Sequence, residues 1–167
     1  MSLDNIHLPT NIIQVLFSKS LYDLADDKTV TAINPTGSIM YLGNNKKNIL
    51  ILVDSPEAVY LPDEELNFLM GILTACGLSM SDIALINYSK NNGLHYTDLT
   101  KLLNGEKILL FGLDPEKLGM PLQFPKYQIQ NFNSQVYLAS VTLKELQIDK
   151  EEKLKLWNCL KKVFSKK

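Results

Sequence analysis

Five consecutive apolar residues, Ile49-Leu-Ile-Leu-Val53, constrain this chain more than any other feature. They are bracketed by Lys46-Lys47-Asn48 before and Asp54-Ser55-Pro56 after. A run this short, without polar alternation, suits a strand buried on both faces rather than an amphipathic helix. Burial on both faces requires elements above and below, so the expected fold is a layered α/β domain. The following residues agree. Pro62-Asp63-Glu64-Glu65 opens a helix with proline and acids where the free N–H groups and the dipole favour them. Leu66, Leu69, Met70, Leu73 and Cys76 recur on one face, and Gly77 ends the helix. After a turn at Ser79-Met-Ser81, Asp82-Ile-Ala-Leu-Ile-Asn87 reads as a second buried strand. A strand–helix–strand unit of this kind predicts parallel strands and a right-handed crossover.

Further elements extend the same architecture. Tyr96 to Leu103 predicts a short helix, and Lys107-Ile-Leu-Leu-Phe-Gly112 a third buried strand. Tyr127-Gln-Ile-Gln130 alternates like an edge strand, and Val136-Tyr-Leu-Ala139 reads as a strand running into Ser140. One helical turn follows at Thr142–Leu146. Asp149 then caps a last helix with Leu156, Trp157, Leu160, Val163 and Phe164 along one face. The sheet is expected to include 49–53, 82–87, 107–112 and 135–139, with helices 62–76 and 149–164 packed on it. Trp157, sharing a face with Leu160 and Phe164, is expected to be largely buried. Upstream, Thr29–Ile33 and Ser38–Leu42 flank Asn34-Pro-Thr-Gly37 and suggest an irregular hairpin at the sheet edge.

The 167 residues divide into an N-terminal apolar segment, 1–28, and a single α/β domain, 29–167. In the first, Ile12, Ile13, Leu16 and Phe17 fall at helical spacing behind Thr10, and Leu21, Tyr22 and Leu24 extend the apolar face. Such a helix either packs on its own domain or serves as an arm laid into a groove of another protein, since both use the same anchor spacing. A net charge of −1 argues against a surface coated with phosphate-binding charge, and leaves a local basic patch and direct nucleic-acid contact open. Cys76 and Cys159 lie in predicted helices without CxxC spacing, which points to reduced core thiols in a cytoplasmic protein. No apolar run approaches the roughly 18–20 residues of a membrane span.

Signals for chemistry are sparse. His7 and His95 sit outside any metal-binding spacing, and Ser55, Ser79, Ser81 and Ser140 lack a nucleophile elbow. No glycine-rich loop follows Val53 to cradle a pyrophosphate. Neither a cofactor, a metal nor a catalytic residue is therefore expected. Two acids, Asp54 and Asp114, end predicted strands. They either share a crevice able to hold a cation or each cap a turn. Gly112-Leu-Asp-Pro115 resembles a fragment of the Gly-Gln-Asp-Pro-Tyr-His motif of uracil-DNA glycosylases. Leu113, Glu116 and Lys117 stand where that motif has Gln, Tyr and His, and the partner His-Pro-Ser-Pro motif is absent.

Taken in order, residues 49–163 resemble the psi subunit family of bacterial DNA polymerase III, an accessory protein of the clamp loader. The resemblance runs through Asn48–Asp54, the helix ending Leu73-Thr-Ala-Cys-Gly-Leu-Ser79, Asp82–Ile86 and Phe111-Gly-Leu-Asp-Pro115. It closes on Ala139–Leu146 and a helix bearing Leu156-Trp157. It implies a three-layer α/β/α fold with a mainly parallel sheet, like that of uracil-DNA glycosylases but without their catalytic groups. It also implies a non-enzymatic role, in which the N-terminal segment docks on clamp-loader ATPase subunits and the protein meets other replisome proteins. Ile12, Ile13, Leu16, Phe17, Leu21 and Tyr22 would be the docking anchors. Two other functions fit the residues: a uracil-glycosylase-like enzyme with rearranged catalytic groups, or a small-molecule-binding α/β module. A basic, aromatic-lined crevice around Asp54, Asn87 and Asp114 would favour the enzyme. An exposed apolar patch beside a filled crevice would favour the interaction protein.

Overall fold

Ile49–Val53 forms the second strand, β2, of the computed structural model, which describes residues 39–165. Parallel partners flank it on both sides, and all five of its side chains are buried. Ile49, Ile51 and Val53 join one apolar layer, whereas Leu50 and Leu52 join the other. The lack of polar alternation thus has its expected cause: neither face of this strand meets water.

Among the described residues the sheet has six strands. Beside β2 these are β1 (Tyr41–Leu42), β3 (Ile83–Asn87), β4 (Lys107–Phe111), β5 (Ile129–Phe132) and β6 (Gln135–Ser140). Their order is β1-β3-β2-β4-β6-β5. The four inner strands are parallel and the two outer ones antiparallel to their neighbours, so the sheet is mixed around a parallel centre. Of the hairpin expected from 29–33 and 38–42, the first half lies outside the described residues. Its second half, Tyr41–Leu42, pairs with β3.

The helices are α1 (Asp63–Ala75), α2 (Tyr96–Leu103), α3 (Leu143–Ile148) and α4 (Lys150–Phe164). Side chains of α1, α3 and α4 cover one face of the sheet, with Leu69, Leu73, Leu146, Leu156 and Leu160 at the centre. Leu99 and Leu103 of α2, together with Leu113, Leu118 and Phe124, cover the other. The domain is therefore a three-layer α/β structure. Local chemistry sets the helix limits as expected. Asp63, Glu64 and Glu65 occupy the first turn of α1, and Gly77 leaves its end at φ 70°. Asp149 accepts hydrogen bonds from the N–H groups of Glu151 and Glu152 at 2.8 and 3.3 Å, which caps α4.

Two expectations about side chains need correction. Trp157 is only half-buried, because it lines an open groove between α4 and α1 instead of meeting the sheet squarely. Cys76 is likewise half-buried; Cys159 is buried and donates to the Tyr127 carbonyl at 3.1 Å. Both thiols are free, and burial pushes their pKa values up.

Candidate functional site

The strand order reverses at β2. From β2 the chain passes to β3 on one side, then crosses to β4 on the other. The segment leaving β2 enters the α1 layer through Leu61, and that leaving β4 enters the α2 layer through Leu113. In open sheets of this kind, ligands bind where neighbouring connections part, at the carboxyl ends of the strands. Here a crevice of about 160 Å³ opens beside Asp54, Glu57, Glu65, Phe111, Thr142 and Lys144.

Asp54, directly after β2, is tied down twice. One carboxylate oxygen accepts a short hydrogen bond from the Ser89 hydroxyl, and the other meets the Lys117 ammonium at 2.9 Å. The Ser89 hydrogen bond first, and then that from Lys117, hold the Asp54 pKa below its ordinary value. The same contact raises Lys117. Asn87, at the end of β3, is fully buried. Its amide nitrogen donates to the carbonyls of Ser55, Ala58 and Val59 at 2.6, 3.0 and 3.2 Å. Its oxygen accepts from the N–H groups of Ser55 and Ser89. Tyr88 donates to the Lys117 carbonyl at 2.9 Å, and Lys90 to the Pro56 carbonyl at 3.0 Å. The ends of β2 and β3 and the turn after β4 are thus knitted into one polar network.

On the α1 side of the crevice, burial raises the Glu65 carboxyl pKa; nearby Lys144 partly offsets this and Glu57 adds to it. Glu65 could hold a proton or accept a hydrogen bond from a small polar guest. Asp114 is exposed and leads a 3-10 turn at Pro115–Leu118 without a side-chain capping bond. Its backbone carbonyl accepts from the Lys117 N–H at 3.1 Å, so it stands at the cap position of that turn, and it shares no carboxylate pair with Asp54, whose partner is a lysine. No cluster of three or more metal-ligating side chains forms among the described residues. In the Gly112–Lys117 stretch, Gly112 takes φ 66°. A Cβ there would lie 2.4 Å from Thr142 Cγ2, so close approach to the residue that caps α3 requires glycine.

Of the residues singled out in the sequence, Asp54 and Asn87 meet in this network, and Asp114 stands outside it. Ile12, Ile13, Leu16, Phe17, Leu21 and Tyr22 lie outside the described residues. Ser89, Glu65 and Lys144 join the site without a sequence motif that marks them. Ser89 follows a buried strand ending in Asn, the one local signal that could have found it. Glu65 and Lys144 come from elements far apart in sequence. In comparisons with protein-family models and with curated proteins, nothing matches the chain.

Proposed function

We propose that the chain is a non-catalytic accessory protein of the bacterial replicative clamp loader, similar to the psi subunit, acting in the cytoplasm. In this reading Ile12, Ile13, Leu16, Phe17, Leu21 and Tyr22 engage the clamp-loader ATPase subunits. The observation that carries it is the commitment of the strand-end groups to the chain itself. Asp54, Asn87, Ser89 and Lys117 hydrogen-bond to one another and to the backbone of 55–59. A base-hydrolysing enzyme with this sheet would need such groups aimed at substrate and water. The order of elements also supports the reading. The segments that resemble psi, from β2 to the helix bearing Leu156 and Trp157, run through strands and helices in an order compatible with a layered α/β domain.

The test compares full-length protein with a variant lacking residues 1–24. If the N-terminal segment is a docking arm, the melting temperature stays nearly unchanged while binding to purified clamp-loader ATPase subunits is lost. Phe17→Ala then weakens binding by roughly 1–4 kcal/mol. An unchanged melt with undiminished binding overturns the arm. Uracil release from DNA that Asp114→Asn abolishes would replace the whole reading with the enzymatic one.

A further inference from the structure

A second surface, on the folded domain itself, points to another partner. Between α1 and α4 lies an open groove of about 440 Å³. Phe68, Gly71 and Ile72 form one wall, and Leu156, Trp157 and Leu160 the other. The lining residues of each helix span about two turns, roughly 10–12 Å of length. That is the footprint of a helix presenting anchors at i, i+3 or i+4, and i+7.

Two observations specify what fits there. Gly71 sits in the interior of α1, where glycine weakens a helix relative to alanine. A Cβ on it would meet nothing within 4 Å among the described residues, whose packing therefore gives no reason for glycine. With Ala75 one turn on and also lining the groove, it leaves a smooth wall that a second backbone can approach closely. The charges are one-sided. Lys153 lies 5.5 Å from the Phe68 ring centre, and Lys161 lies 5.6 Å from that of Trp157. Among the described residues neither lysine has an acidic partner, the ion pairs there being Lys47–Asp82, Lys117–Asp54 and Lys155–Glu152. The groove's aromatic rings thus carry two unpaired cations.

We propose that the α1–α4 groove binds an amphipathic helix of a partner protein, with aspartate or glutamate flanking its apolar stripe. The apolar stripe covers Phe68, Ile72 and Trp157, and its acids pair with Lys153 and Lys161. The test of this surface uses no clamp-loader subunit, so its failure would leave the clamp-loader reading standing.

Trp157 is the only tryptophan of the chain, and its emission reports occupancy of the groove directly. The probe is a tryptophan-free synthetic helix of about 18 residues, with leucine anchors flanked by glutamate, titrated into full-length protein. A counterpart with lysine at every glutamate position serves as the control. The acidic peptide is expected to give a saturable blue shift, with binding at least about tenfold tighter than the control. The double variant Lys153→Glu/Lys161→Glu reverses that preference, and Gly71→Leu abolishes binding with a melting temperature no lower than the parent's. Equal binding of the two peptides, or of the acidic peptide to parent and charge-reversed protein, would overturn the proposal. A peptide-independent shift that grows with protein concentration, with dimers in sedimentation, would assign the groove to a second copy of the chain and overturn it equally.

Discussion

The amide of Asn87 lies within hydrogen-bond distance of five backbone groups from two segments, three carbonyls sharing its two N–H donors, and no apolar residue of similar size could serve them. Each such group left unpaired in a buried site costs about 1–3 kcal/mol, which accounts for a fully buried polar side chain at the end of an apolar strand. Asp54 beside it makes the network sensitive to acid. Its folded-state pKa lies below the unfolded value, so its contribution to stability is present above the unfolded pKa. That contribution is lost as pH falls through the folded one. Lys117 behaves in the opposite sense. Its pKa is raised, so its contribution is complete below the unfolded value and is lost as pH rises through the folded one. Urea midpoints measured from about pH 6 to about pH 2 should therefore fall less steeply for Asp54→Asn than for the parent. Parallel acid limbs would show that the ion pair contributes nothing to folding.

At the scale of elements, the strands with both faces buried were legible and the edge was not. Ile49–Val53 was placed to the residue, Asp82–Asn87 and Lys107–Gly112 to within one, because an uninterrupted apolar run has only one place to go. The edge strand, expected at 127–130, begins at Ile129. A two-residue turn at Asn133-Ser134, with φ of 52° and 62°, sets its register against β6. Positive φ at both positions is the mark of a type I′ hairpin, which favours glycine at the second. Serine there carries no signal a sequence reader would take for such a turn. Replacing Ser134 with glycine should stabilise the protein by about 0.5–1 kcal/mol, seen as a higher melting temperature. A lower one would mean that the serine has a partner role the turn geometry does not account for. The candidate site was legible only in part for a related reason. Asp54 and Asn87 end their strands and could be found, but which residues of α1 and α3 face them depends on how the layers stack.

For the whole molecule, β2 is the partition between two apolar layers and belongs to both. Ile51→Ala and Leu52→Ala should each cost about 2–5 kcal/mol, although the side chains point to opposite sides of the sheet. Combined in one chain they should unfold both layers in a single transition. Two separate transitions by different probes would show that the layers are not one cooperative unit. The uniformity of this strand has a further consequence. In a half-exposed strand, a slip of one residue turns the apolar face to water and is rejected for that reason. In Ile49–Val53 every residue is apolar, so such a slip would still bury hydrocarbon on both sides. Hydrophobicity holds the strand inside but cannot say where along it the neighbours should line up. That choice falls to the polar residues at its two ends. Asn48, at φ 55°, offers its carbonyl to the N–H groups of Glu106 and Lys107. Asp54 is anchored to Ser89 and Lys117. The alignment of β2 with its neighbours is thus written in its margins, in two residues that contribute nothing to its core.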